Sequence, residues 1–157
     1  MGESFQVIFN SQSPNVINDG ITTVLYNVNW GAFLPKKYKK FHCYHTFKSK
    51  RFTALTDVNI GLLSINLGRM SCYNGDQMST NLGIVYPVNL SGNATGLGYY
   101  RSAEDPQPVI IDYPTNYQVT ITLNDFGGNP LLNMQNYVCI LNLVGIEGEE
   151  PAFLAGV

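Results

Sequence analysis

The sequence predicts an all-β sandwich, and three observations carry that prediction. Short segments alternate apolar and polar residues with period two. Clusters of Gly, Pro, Asn and Asp separate them, and no stretch keeps helical apolar spacing for longer than a turn. About eight or nine short strands result, which suits a single jelly roll of two antiparallel four-stranded sheets spanning residues 1–147. An immunoglobulin-like sandwich is the rival. It loses because no Cys–Trp–Cys spacing is present and the loops are long for that fold.

The first strand is expected over Ser4–Phe9, with Phe5, Val7 and Phe9 inward. A loop with Pro14 and Asn18-Asp19-Gly20 follows, then a strand over Thr22–Trp30 with Val24, Tyr26, Val28 and Trp30 on one face. Residues 31–40 connect to Phe41–Phe47, which places Phe41, Cys43, His45 and Phe47 inward. In Val58–Leu67 the apolar phase slips beside Gly61, the pattern of a β-bulge. Asn74-Gly75 marks a turn, Leu82, Ile84 and Tyr86 mark a strand ended by Pro87, and Tyr99–Arg101 is a short edge piece. Val109–Tyr113 is a further short strand. The most regular stretch is Tyr117–Glu147, read as a long hairpin. Val119, Ile121 and Leu123 share a face with Tyr117, and Tyr137, Cys139, Leu141 and Leu143 form the second inward row. Val138, Ile140 and Val144 make the other face of that last strand apolar, so cover on both sides is expected. Residues 148–157 are read as a tail packed on the domain or on a neighbouring subunit.

Composition narrows the function classes. Charged residues make up 13% of the chain, about half the usual share, and Asn, Ser and Thr fill the gap. Uncharged polar surfaces suit extensive wet contacts better than solitary life in solution. The net charge of −2 gives no case for specific nucleic-acid binding, and no apolar run approaches a membrane span. The first residues lack the pattern of a secretory signal, and Cys43, Cys72 and Cys139 read as reduced thiols, so assembly in the cytoplasm or nucleus is expected. His42, Cys43 and His45 do not converge on a metal, because neighbouring strand positions point to opposite faces. No nucleophile stands beside a base, and no Gly-rich segment matches a phosphate cradle. No catalytic, metal or cofactor residue is therefore expected, and the reading is non-enzymatic.

The marked asymmetry is basic. Seven of the nine basic residues, Lys36, Lys37, Lys39, Lys40, Lys48, Lys50 and Arg51, flank one predicted strand. They are expected to form two contact points, one at each end of it, roughly 25 to 30 Å apart. Glu147, Glu149 and Glu150, presented by another copy, are the expected complement, with Phe153 and Leu154 as apolar contacts beyond them.

The run Tyr117-Gln-Val-Thr-Ile-Thr-Leu-Asn-Asp-Phe-Gly-Gly-Asn-Pro-Leu131, followed after a spacer by Asn136-Tyr-Val-Cys-Ile-Leu-Asn-Leu143, resembles the closing hairpin of a known group. That group is the small jelly-roll capsid proteins of large eukaryotic DNA viruses, virophages and their relatives. Val24–Trp30 and Phe33–Phe41 are similar to the group's first long strand and following loop. The resemblance implies a structural virion protein, either a vertex (penton) protein or a minor protein cementing major capsomers, with itself or a major capsid protein as partner. It implies no catalytic residues. A penton of this class usually carries an insertion domain, for which no stretch here is spare, so the minor or cement role is favoured. The competing class is an oligomeric ligand- or carbohydrate-binding β-sandwich, such as a C1q/TNF-like head or a lectin, in which Tyr73, Tyr99 and Tyr100 stack on sugars.

Overall fold

A computed structural model describes residues 3–13, 16–18, 21–52, 60–67, 72–74, 77–79, 81–90, 97–105, 107–131 and 134–147. Twelve antiparallel strands follow in chain order: β1 (Ser4–Asn10), β2 (Val16–Asn18), β3 (Thr23–Asn27), β4 (Lys40–Ser49), β5 (Gly61–Ile65), β6 (Cys72–Asn74), β7 (Gln77–Ser79), β8 (Asn81–Asn89), β9 (Gly98–Ser102), β10 (Val109–Asp112), β11 (Gln118–Asp125) and β12 (Tyr137–Gly145). The helical content among the described residues is a 3-10 turn at Trp30–Ala32.

Pairing sorts eight of these strands into two layers. One runs β1–β12–β4–β10, and the other β3–β11–β5–β8. Chain neighbours among the eight fall mostly in opposite layers, the jelly-roll-like order that nested Greek keys produce. The other four strands are additions. β2 extends the second layer beside β3, while β6 and β7 pair only with each other. β9 pairs with β8 and meets β4 at one pair, Arg101 opposite Lys48, which stitches the two layers together.

The interior is built from the alternating rows. Phe41, Cys43, His45 and Phe47 of β4 point inward, as do Val119, Ile121 and Leu123 of β11 and Tyr137, Cys139, Leu141 and Leu143 of β12. The Phe9 and Tyr26 rings, one from each layer, meet edge-on 4.8 Å apart at 60°, and within the first layer the Phe47 and Tyr137 rings lie 4.9 Å apart. Ser11 ties the start of β12, its hydroxyl accepting from the Tyr137 amide at 2.8 Å.

Several expectations need correction. β11 and β12 are not a hairpin. β11 pairs with β3 and β5, and β12 with β1 and β4, so the connection 126–136 crosses between layers. Its turn is held by Asp125, whose Oδ1 accepts from the amides of Gly127 and Asn129, while Gly128 takes φ 86°, which side chains disfavour. The outer face of β12 is not covered by any described segment, and Val138 is exposed on it. The phase slip also lies elsewhere. Residues 60–67 keep one phase, with Gly61, Leu63, Ile65 and Leu67 inward, and Val58 lies outside the described residues. The irregularity is on β8, where Leu63 faces Gly83 but Ser64 faces Asn81, so Leu82 is the extra residue. That is why Leu82 and Val85, three apart, are both buried. Pro87 does not end β8. Among the described residues the strand beyond Val85 pairs with β9, where Pro87 faces Tyr100. Trp30 leaves the strand for the 3-10 turn and buries its ring there, with Nε1 donating to the Asn116 carbonyl at 3.0 Å.

Candidate functional site

β4 sets the geometry of the basic residues. It runs from Lys40 to Ser49, nine steps of ~3.3 Å, so the two groups sit at opposite ends about 30 Å apart. At the first end, Lys36, Lys37 and Lys39 are exposed on the loop that follows the Trp30 turn. Lys37 is already engaged: its Nζ lies 2.8 Å from Glu3 Oε1. That contact holds the Glu3 carboxyl below the usual carboxylate value, with help from a hydrogen bond to Tyr38, and holds the Lys37 ammonium above its own. Lys36 and Lys39 have no ion-pair partner among the described residues. Lys40 begins the strand opposite Asp112.

Tyr38 is the hub of this end. Its ring is buried against Phe41 and Phe5 and over Gly145, where a Cβ would stand 2.5 Å from the ring. Its hydroxyl accepts from the Glu3 amide at 3.1 Å, and its single proton is shared between Glu3 Oε1 at 3.2 Å and Glu147 Oε1 at 3.4 Å. The structure therefore brings Glu147 to the first lysine end of its own chain. Glu149, Glu150, Phe153 and Leu154 lie outside the described residues.

Beside Tyr38 opens a cleft of about 410 Å³, walled by Trp30, Tyr38, Tyr113 and Tyr117 with Lys36 and Lys39 at its rim. Two loops build it, the one before β4 and the one between β10 and β11. They are locked by Tyr113, whose hydroxyl donates to the Leu34 carbonyl at 2.9 Å and whose amide donates to that of Lys39 at 2.9 Å. Tyr117 was expected inward on β11 but precedes the strand and is 62% exposed. Sequence reasoning missed this cleft because its walls come from positions more than seventy residues apart. The local signal was the Tyr113-Pro114 pair, which ends a strand next to a second exposed tyrosine.

At the far end, Lys48 points outward with Nζ 5.2 Å from the Tyr99 ring, a cation–π distance. Lys50 and Arg51 are exposed just past the strand. A shallower hollow of about 240 Å³ lies here among Asn10, Gln12, Lys48, Lys50, Asn136 and Val138. Most of its exposed lining is apolar carbon, with the amides of Asn10, Gln12 and Asn136 and the ammonium groups of Lys48 and Lys50 set among it.

Cys43, Cys139 and His45 are sealed inside. Burial pushes the Cys43 thiol up to about 12 and the Cys139 thiol up as well, so neither is a thiolate near neutrality. His45 is 3% exposed, and neither ring nitrogen has a hydrogen-bond partner. Among the described residues no group of three His, Cys, Asp or Glu side chains could hold a metal, and no helix is long and apolar enough to cross a membrane. What the surface offers is contact chemistry: ammonium groups, amides and aromatic faces. No protein-family model matches the chain, and no curated protein matches it.

Proposed function

We propose that the chain is a non-enzymatic structural protein that builds a virus shell through subunit contacts, as a minor or cement component or as the vertex protein. The observation that supports this reading most is the outward face of the β1–β12–β4–β10 layer. Rows across it read Ile8–Ile140–Thr46, then Gln6–Asn142–Tyr44, then Val144–His42–Ile110. Ile8 is 59% exposed and Ile110 49%, and Tyr44 and Val138 are exposed too. Charge on this face is confined to its ends, at Lys40, Asp112 and Lys48. A face on which exposed apolar side chains alternate with an amide row, with charge kept to its ends, has the mixed apolar and uncharged-polar make-up of a protein–protein interface. The jelly-roll-like strand order agrees with the capsid resemblance of the Tyr117–Leu143 region.

The test is assembly. Purified chain is expected to sediment as rings or larger shells, visible by negative-stain electron microscopy. Ile8→Lys with Val138→Lys should abolish them while leaving the melting temperature within about 2 °C, since both side chains point outward. A chain that stays monomeric at high concentration refutes the proposal. The carbohydrate-binding reading is favoured by one observation, the aromatic cleft at Trp30 and Tyr117. A discrete trimer that binds glycans and forms no larger particle would put it first.

A further inference from the structure

The cleft beside Tyr38 has three properties that together define an occupant. Its accessible walls are aromatic, from Tyr113 and the exposed Tyr117 over the buried Trp30 ring, and they would take an apolar ring. Its rim carries Lys36 and Lys39, two ammonium groups without an ion-pair partner among the described residues, which would take carboxylates. Its volume of about 410 Å³ suits a few side chains of a peptide and not a folded element. A ligand with clustered acids followed within a few residues by an aromatic ring matches all three. The chain itself contains one: Glu149-Glu150-Pro151-Ala152-Phe153-Leu154. That segment begins two residues after Glu147, whose carboxylate lies 3.4 Å from the Tyr38 hydroxyl at the edge of the same cleft.

We propose that the cleft between the Trp30–Lys39 and Tyr113–Tyr117 loops is a peptide-binding site that receives residues 148–157 of a second copy of this chain. Lys36 and Lys39 pair with Glu149 and Glu150, and Phe153 packs against Tyr113 and Tyr117. Pro151 has a fixed φ, which lowers the entropy lost on binding. Each subunit then carries a cleft and a segment, a heterologous contact that closes rings or extends arrays. The inference rests on the subunit-contact reading above and names one of its contacts.

The full chain with Phe153 replaced by a photoreactive benzoylphenylalanine is prepared in heavy isotope, mixed with the light chain and irradiated. Cross-linked peptides are mapped by mass spectrometry, and sedimentation is run on the same mixture. The expected product joins heavy position 153 to light peptides containing Trp30, Tyr113 or Tyr117. Its yield should fall about ten-fold with Lys36→Ser and Lys39→Ser together, the loss of two partly exposed charge contacts. Purely heavy–heavy products in the cleft would mean that each copy fills its own cleft, and would overturn the assignment to a second copy. Cross-links elsewhere, or a yield indifferent to the lysine changes, would overturn the site. Assembly without cleft cross-links removes this contact and leaves the structural role standing, whereas a monomeric mixture removes both.

Discussion

His45 makes the most quantitative prediction. It projects from the middle of β4 into the interior, against Gly83 of β8, where even a methyl group would stand 2.5 Å from the ring. Neither nitrogen is hydrogen-bonded, and burial holds the imidazole below its ordinary value of 6.5. The folded protein therefore resists protonation that the unfolded chain accepts. Stability is full above pH 6.5 and is lost as pH falls below it, until the folded imidazole also titrates. One proton bound only by the unfolded chain gives a slope of at most about 1.4 kcal/mol per pH unit, hence up to about 2 kcal/mol between pH 7 and pH 5. Glu3 does not interfere, because its depressed carboxyl titrates below 4.5 and acts only further into acid. Urea unfolding at pH 7, 6 and 5 measures the slope directly. His45→Leu should flatten it and raise stability at pH 7 by about 1 kcal/mol, since two unpaired buried nitrogens disappear. The same stability at pH 5 and pH 7 in the natural chain, or an undiminished slope in the variant, would refute the reasoning.

Two further outcomes are expected. Gly145→Ala should lower stability by about 1–3 kcal/mol, because the new methyl meets the body of the Tyr38 ring at 2.5–2.7 Å and that ring is packed on both sides. A thermal melt reads the loss, and an unchanged midpoint would show that the ring moves freely. Cys43 and Cys139 should resist iodoacetamide at pH 8 in the native protein and react fully in urea, because their thiols are buried and raised. Peptide mass spectrometry separates the two sites, and fast native labelling of Cys139 would contradict its burial.

Alternation told which side chains are inward far better than it told which strands are neighbours. Phe41, Cys43, His45 and Phe47, and the two rows of β11 and β12, were legible because a half-buried strand imposes period two on its residues. The pairing of β11 was not, since a strand with one buried face looks the same beside β12 or beside β5. The misplaced bulge has a related cause. Val58, Ile60 and Leu62 form an apolar row that mimics a second phase, although Ile60 is exposed, whereas the true slip at Leu82 sits one residue into β8, where no preceding strand residues set a phase. The two basic groups and their separation could be read because one strand, β4, lies between them. The cleft could not, because Trp30 and Tyr117 come together only once β3 has paired with β11, and alternation does not say which strands pair.

The pairing of β1 with β12 bears on how the molecule is made. Ser4 faces Val144 and Asn10 faces Val138, so the first strand finds its only described neighbour at the far end of the chain. A growing polypeptide must hold β1, with Val7 and Phe9 on its sticky side, unpartnered until nearly all of the sandwich has left the ribosome. Such long-range closure is slow, on the millisecond-to-second scale of β-sandwiches. The sandwich thus closes on this side only once β12 has been made, and until then Val7 and Phe9 have no β12 residue to face.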